Sequence, residues 1–173
     1  MKKIMVKKSM DKIRVAEICK EAEIERPTFY YHFKDKHDLV AWIFFQNASA
    51  TDITSIESAS ESMKQMKEDY VFYKRAYEDN TQNALWQYLP EYFVEQYTRK
   101  AEECLKEKII DQQLLFSIPL YCYGATSLGK EWILNDNKTP AETIVKYMFD
   151  SMPQKLQKIY FKNTYDDLID KKA

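Results

Sequence analysis

The feature that most restricts the fold of this chain is its shortage of turn-forming residues. Its 173 residues include only two glycines and five prolines. An all-β sandwich or barrel needs such residues in a turn about every 8–12 positions. Hydrophobic residues make up 45% of the chain, which is enough to build a core. The sequence therefore predicts an all-α fold made of long helices with few tight turns.

Apolar residues at helical spacing predict where these helices lie. Four short helices are predicted over residues 1–8, 15–22, 27–32 and 37–45, and four longer ones over 60–78, 81–107, 110–135 and 139–161. Pro90 should kink the second long helix, and Thr139 should cap the last one ahead of Pro140. The Ser-, Thr- and Ala-rich segment 47–62 separates the two groups, and it predicts two domains, 1–46 and 47–173.

Charge is distributed unevenly between the two groups. Residues 1–40 carry ten Lys and Arg against seven Asp and Glu, a net charge of +3. Residues 41–173 carry the other sixteen against twenty, a net charge of −4, and the two parts sum to the −1 of the whole chain. A basic N-terminal part on an acidic remainder favours contact with nucleic acid at that end.

Residues 14–33, RVAEICKEAEIERPTFYYHF, have the pattern of a helix-turn-helix. An amphipathic helix is followed by a tight link and a short second helix, which can enter a major groove about 12 Å wide. The second helix offers Arg26 for guanine edges and Tyr30 and Tyr31 for phosphates. Phe29 and Phe33, four residues apart, should anchor this helix to the core.

The run AEICKEAEIERPTFYYHFKDKHDLVAWIF resembles the DNA-binding segment of the TetR family of bacterial regulators. The matching positions are Ile18, Ala22, Ile24, Thr28, Phe29, Tyr30, His32, Phe33, Lys36 and Leu39. Residues 123–133, YGATSLGKEWI, are similar to a C-terminal pattern of the branch that includes dihydroxyacetone-kinase regulators. The resemblance implies a homodimer of Ω-shaped subunits, each with a three-helix DNA-binding part and a larger helical bundle. Two recognition helices about 34–36 Å apart would then contact a palindrome.

Together, the helix-turn-helix pattern and the resemblance give a set of predicted DNA-binding residues. These are Arg14, Arg26, Pro27, Thr28, Tyr30, Tyr31, His32 and Lys36. The resemblance implies that Thr28, Tyr30, Tyr31 and Lys36 mostly contact phosphate, which leaves base recognition to Arg26 and the side chains around Thr28. A metal site is not expected at His32, because no cysteine or carboxylate lies at ligand spacing from it.

Three positions depart from the family's pattern. Glu23 replaces the usual turn glycine, at a cost of about 1 kcal/mol if its backbone is left-handed. Glu25 replaces the usual Ser or Thr cap of the recognition helix and would repel phosphates. Arg14 stands at the cap of the preceding helix and would supply a phosphate contact instead. These departures keep open an alternative function, a helical protein-interaction module with weak or lost DNA binding.

The C-terminal part leaves two interpretations of its aromatic and apolar residues open. Aromatic residues at helical spacing form either core or an effector pocket, and the predicted pocket residues are Tyr73, Trp86, Tyr92, Phe93 and Tyr123. The last helix has apolar residues three and four apart, which in a TetR-like dimer would join a four-helix interface. The predicted interface residues are Gly124, Leu128, Trp132, Val145, Met148, Phe149, Met152 and Leu156.

The sequence favours a regulator over an enzyme. It has no nucleophile elbow, phosphate loop, metal constellation or clear acid–base pair, so neither catalysis nor a cofactor is expected. The uncharged stretch Gln112–Leu128 spans seventeen residues with several polar ones, and we expect a buried helix there, not a membrane contact. The three scattered cysteines suggest a reduced, cytoplasmic protein. The predicted function is a transcription regulator, most often a repressor in this family, that binds a palindromic operator in double-stranded DNA as a homodimer and responds to a small molecule or a partner protein.

Overall fold

The computed structural model of the chain describes residues 1–49, 55–81, 84–105, 110–135 and 138–161. Within these ranges the fold is all-helical, as predicted, and no strand is present. The α-helices are α1 (Lys2–Met5), α2 (Val15–Ala22), α3 (Arg26–His32), α4 (Lys36–Ser49), α5 (Ile56–Glu68), α6 (Tyr70–Tyr77), α7 (Leu89–Leu105), α8 (Gln112–Leu134), α9 (Ala141–Asp150) and α10 (Gln154–Tyr160). Two short 3₁₀-helices lie at Met10–Lys12 and Leu85–Gln87.

Two pairs of helices organise the C-terminal part. α7 packs along α8, and α5 packs along α9. α10 contacts both α7 and α8, where Leu156 is fully buried among Leu114, Ile118 and Phe149. α6 lies against α8 on one side and α1 on the other, so it connects the N-terminal helices to this bundle. One apolar core consequently runs from Phe29 and Phe44 to Tyr73 and Trp132.

Two predicted long helices are each broken in the structure. The helix predicted over 60–78 is divided at Asp69, which ends α5 and precedes α6. The helix predicted over 139–161 is divided by Ser151, Met152 and Pro153, because proline cannot donate to the helical ladder and here precedes the first turn of α10. The apolar residues keep their helical spacing across each break. Spacing alone therefore could not predict either break.

The predicted roles of Pro90 and Thr139 are wrong. Pro90 is the second residue of α7, and it causes no kink there because the first N–H groups of a helix have no partner within the helix. Pro140, not Thr139, precedes the first residue of α9. The carbonyl oxygen of Thr139 instead accepts the indole N–H of Trp132 at 3.1 Å, which ties the start of α9 to α8.

Two further predicted helices are shorter in the structure. The predicted helix over 1–8 is reduced to α1, and the α-helix predicted from residue 81 begins only at Leu89, after the 3₁₀-helix Leu85–Gln87. Residues 106 and 107 of that predicted helix lie outside the described residues, as does part of the segment 47–62. None of the described helices has the length and apolar character needed to cross a membrane.

Candidate nucleic-acid interface

The turn between α2 and α3 is set by the backbone of Glu23. This residue has φ 54° and ψ 39°, and it is the only non-glycine residue with positive φ in the described ranges. The left-handed conformation ends α2 and lets the N–H of Ile24 donate to the carbonyl of Cys19 at 3.0 Å. The predicted left-handed turn is thus present, with a glutamate where the backbone favours glycine.

A Glu23→Gly variant is expected to be more stable than the wild type by about 0.5–1 kcal/mol, because glycine adopts the left-handed region without the steric penalty of a Cβ. Urea denaturation followed by circular dichroism measures the change as a higher midpoint at constant m-value. Glu23→Ala is the matched control, since it removes the charge and keeps the Cβ. An equal gain in both variants would show that charge, not backbone conformation, limits stability at this turn.

The helix α3 is anchored by one buried ring. Phe29 is only 2% exposed, and its ring lies 5.6 Å from that of Phe33 between centroids. Phe33 in turn meets Trp42 of α4 edge-on at 5.8 Å. Phe29 and Phe33 thus hold one side of α3 against the core, as predicted, and its other side faces solvent.

The solvent-facing side of α3 carries most of the predicted DNA-binding residues. Arg26, Thr28, Tyr30, Tyr31 and His32 are all exposed. Tyr31 is 85% exposed, so most of its ring, and not only its hydroxyl, is in contact with water. The Arg26 guanidinium lies 5.9 Å from the centroid of the Tyr30 ring. Arg26 and Tyr30, one turn apart, lie side by side with the arginine against the ring, and the other exposed hydrogen-bond donors are distributed around the same short helix.

Two contacts fix the start of α4 behind this face. The Lys36 ammonium donates to the carbonyl oxygens of Met10, Asp11 and Ile13 at 2.7, 3.3 and 3.1 Å. The imidazole of His37 pairs with the carboxylate of Asp79 at 2.9 Å, and both side chains are largely buried. Since three carbonyls already take its three donors, Lys36 positions α4 against the start of α2, and its predicted phosphate contact stays a prediction.

The start of α2 carries Arg14 and a nearby ion pair. The backbone N–H of Arg14 donates to the Glu17 carboxylate at 3.1 Å, while its side chain is exposed. Glu17 also accepts from the Lys8 ammonium, and these contacts hold the pKa of the Glu17 carboxyl below its usual value. The Arg14 side chain is therefore exposed at the N-terminal end of α2, where the backbone N–H of Arg14 already has the Glu17 carboxylate as its hydrogen-bond partner.

The predicted pocket residues divide into two groups. Tyr73 and Phe93 line a cavity of 170 Å³ between α5, α7, α8 and α9. Trp86 does not line this cavity, and its indole N–H donates to the carbonyl oxygen of Asp79 at 2.8 Å. Tyr92 packs on Phe45, and the exposed Tyr123 donates its hydroxyl to Glu91 at 2.9 Å.

Three tyrosines that line this cavity, Tyr77, Tyr97 and Tyr121, are absent from the predicted pocket residues. Tyr97 follows Phe93 by one helical turn, and that spacing could have indicated a shared face. The position of Tyr121 on α8 gave no comparable signal, because α8 is apolar on every side.

Most of the predicted interface residues lie inside the subunit. Trp132, Val145, Phe149, Met152 and Leu156 are buried in its own core, and Met148 is half-buried beside the cavity. The five buried side chains face the core of their own chain, so packing within one chain already accounts for their apolar spacing, and their predicted interface contacts stay a prediction. Only Gly124 and Leu128 of the predicted set are exposed.

An exposed stripe on α8 was not predicted as a whole. We call it the α8 stripe, and its members are Phe116, Leu120, Tyr123, Gly124, Ser127 and Leu128. They recur at intervals of three and four residues, opposite the buried Leu114, Ile118 and Cys122. A helix that is apolar all round normally has its second face covered as well.

Comparisons with known proteins agree with this geometry. Residues 2–43 match the family model of bacterial regulatory proteins of the tetR family, and residues 54–154 match a model of a transcriptional regulator C-terminal region. A solved structure described as a dihydroxyacetone kinase operon activator, DhaS, has the same fold, with a TM-score of 0.62 over 92% of this chain and 93% of that chain at 16% identity. Comparison with curated protein sequences gave no significant match.

The two family models together span the helix-turn-helix and most of the C-terminal bundle, and both describe regulators, not enzymes. The chain therefore belongs to the TetR family and is a DNA-binding transcriptional regulator.

Proposed function

We propose that this chain is a homodimeric repressor that binds a palindromic operator through α3 and is released by an effector. The observation that carries the proposal is the solvent-facing side of α3, where Arg26, Tyr30 and Tyr31 stand exposed on a helix anchored by Phe29. Repression is the simplest outcome of operator occupancy, because blocking a promoter needs no further contact with polymerase. In this proposal residues 1–46 bind DNA, and residues 47–173 dimerise and bind the effector.

Each side chain of the proposed interface has a role that follows from its chemistry. Arg26 donates two guanidinium N–H groups to a guanine edge, and the Tyr30 ring beside it limits the number of conformations that the arginine loses on binding. Tyr31, Thr28 and His32 donate to phosphates on either side of the groove. Pro27 shapes the first turn of α3, and Arg14 contacts a phosphate from the end of α2.

The charge that draws this surface to DNA lies beside the helix-turn-helix. Residues 14–36 carry five Lys and Arg and five Asp and Glu, a net charge of zero. Residues 1–12 carry five lysines and one aspartate, a net charge of +4. Lys3, Lys7 and Lys12 are exposed among them. Phosphate attraction therefore comes mainly from the first twelve residues, while α3 selects the sequence.

The α8 stripe supports the homodimer. Its side chains are apolar or small, and a Cβ added at Gly124 would meet no atom within 4 Å, so the backbone is open to close approach there. A second copy of the same stripe, related by a two-fold axis, would cover both faces at once. A two-fold dimer is also the assembly with which helix-turn-helix proteins contact the two half-sites of a palindrome.

The second candidate function, a protein-interaction module without DNA binding, rests on the acidic turn. Glu21, Glu23 and Glu25 are all exposed near α3, and they would repel phosphates. A selection for bound DNA distinguishes the two candidates, because only a working recognition helix enriches a sequence.

We expect selection from a pool of random duplexes to enrich an inverted repeat whose half-sites lie about 10 base pairs apart. In fluorescence-polarisation titrations on the enriched duplex, Arg26→Ala should weaken binding by about 5- to 150-fold, the range of 1–3 kcal/mol for a bidentate base contact. Raising the salt concentration should weaken wild type and variant alike.

Tyr147→Ala is the control for this experiment, because Tyr147 is an exposed aromatic residue of α9, far along the chain from α3. It should bind like the wild type. Enrichment of no sequence at low salt would contradict the proposal and favour the interaction module.

A further inference from the structure

The cavity between α5, α7, α8 and α9 is walled mainly by aromatic rings and methionines. Tyr73, Tyr77, Phe93, Tyr97 and Tyr121 contribute rings to it. Its volume of 170 Å³ is close to that of an engineered apolar cavity of about 150 Å³ that binds benzene. The space therefore suits a molecule with a single aromatic ring.

The chemistry of the wall excludes charge on that molecule. None of the described side chains that line the cavity is an Asp, Glu, Lys, Arg or His. A carboxylate or ammonium group placed against these side chains would lose hydration with no opposite charge among them to replace it, which disfavours an ion there. A neutral molecule has no such cost.

Hydrogen-bonding capacity is concentrated at one place in the wall. The Tyr97 and Tyr121 rings meet edge-on with their centroids 5.9 Å apart, and the Tyr160 hydroxyl donates to the carbonyl of Tyr97 at 2.8 Å. Both phenols are protonated donors at neutral pH, as tyrosine ordinarily is, and burial raises the pKa of Tyr97 and of Tyr121 further above the usual value. By contrast, the Thr126 hydroxyl is already bonded to the carbonyl of Cys122 at 2.7 Å.

We propose that this cavity binds a neutral, single-ring aromatic molecule with one hydroxyl group, of the phenol type, whose hydroxyl joins the Tyr97–Tyr121 pair. Phe44 of α4 also lines the cavity, while Lys36 at the other end of α4 holds the carbonyls that precede α2. A bound ring that displaced Phe44 would therefore move α4, and with it the Lys36 contacts that hold the segment before α2. That regulatory consequence rests on the proposed function, whereas binding itself does not.

The test is isothermal titration of the full chain, without DNA, with phenol, toluene, benzoate and benzylamine at neutral pH. Phenol should bind saturably, toluene about fivefold or more weakly for want of the hydrogen bond, and the anion and the cation not measurably. Tyr121→Phe should reduce the preference for phenol over toluene, whereas Tyr147→Phe, which removes an exposed hydroxyl outside the cavity, should not change it.

Ala125→Leu, which places three more carbons in the cavity, should abolish phenol binding while the helical circular dichroism signal is kept. Benzoate binding as tightly as phenol, or no saturable binding of phenol by a folded protein, would overturn the inference. A separate titration with the selected duplex tests the proposed function. Phenol binding in a protein that enriches no DNA would contradict that function and leave the cavity assignment standing.

Discussion

Replacing Phe29 with alanine is expected to lower the free energy of unfolding by about 3–5 kcal/mol, the usual cost of truncating a buried aromatic ring. Phe29 is 2% exposed and is the one fully buried side chain of α3. Its ring contacts those of Tyr30 and Phe33, so no neighbouring side chain can fill the space without leaving its own contacts. Chemical denaturation with a constant m-value measures the loss.

The same variant should also lose operator binding, even at temperatures where the protein stays folded. The helix α3 spans only seven residues, too few to be stable without tertiary contacts, and Phe29 supplies the main one. Tyr31→Ala is the matched control, because this exposed ring should affect stability by less than about 0.5 kcal/mol while still reducing DNA binding. A Phe29→Ala protein with near wild-type stability would show that α3 is held by other contacts.

The helix-turn-helix could be predicted closely from the sequence because its signals are local. The apolar spacing of Val15, Ile18, Cys19 and Ala22 predicted α2 with the bounds that the structure has. Pro27 indicated the first turn of α3, and the resemblance to the TetR pattern, which has a glycine at the position of Glu23, implied a left-handed turn there. Each of these signals acts within one turn of the backbone, where steric rules decide the conformation.

The C-terminal part could not be predicted to the same depth, because its signals depend on which helix faces which. The apolar residues of α9 and α10 have the spacing of a dimer seam, yet Val145, Phe149 and Leu156 face the core of their own subunit. Periodicity shows that a helix has an apolar face without showing what covers it. Lys36 illustrates the same limit for charge, since only the three-dimensional structure brings its ammonium to the carbonyls of Met10 and Ile13.

Introducing a charge in the α8 stripe is expected to separate the subunits. Leu120 is 62% exposed on the single chain, so Leu120→Glu should leave the fold of the subunit intact. In the proposed dimer two such carboxylates would be desolvated close to the two-fold axis, and burying an unpaired charge costs several kcal/mol. Analytical ultracentrifugation at micromolar concentration should show a dimer for the wild type and a monomer for the variant.

Loss of the dimer should in turn weaken operator binding by about 100-fold or more, because two linked recognition helices gain that much from effective concentration. Val71→Glu provides the control, since it places the same charge at an exposed apolar position of α6, outside the α8 stripe, and should remain dimeric with wild-type affinity. A dimeric Leu120→Glu protein with full operator affinity would assign the interface to another surface. A monomeric one that kept full affinity would instead show that a single α3 is enough for recognition, and that the α8 stripe serves assembly alone.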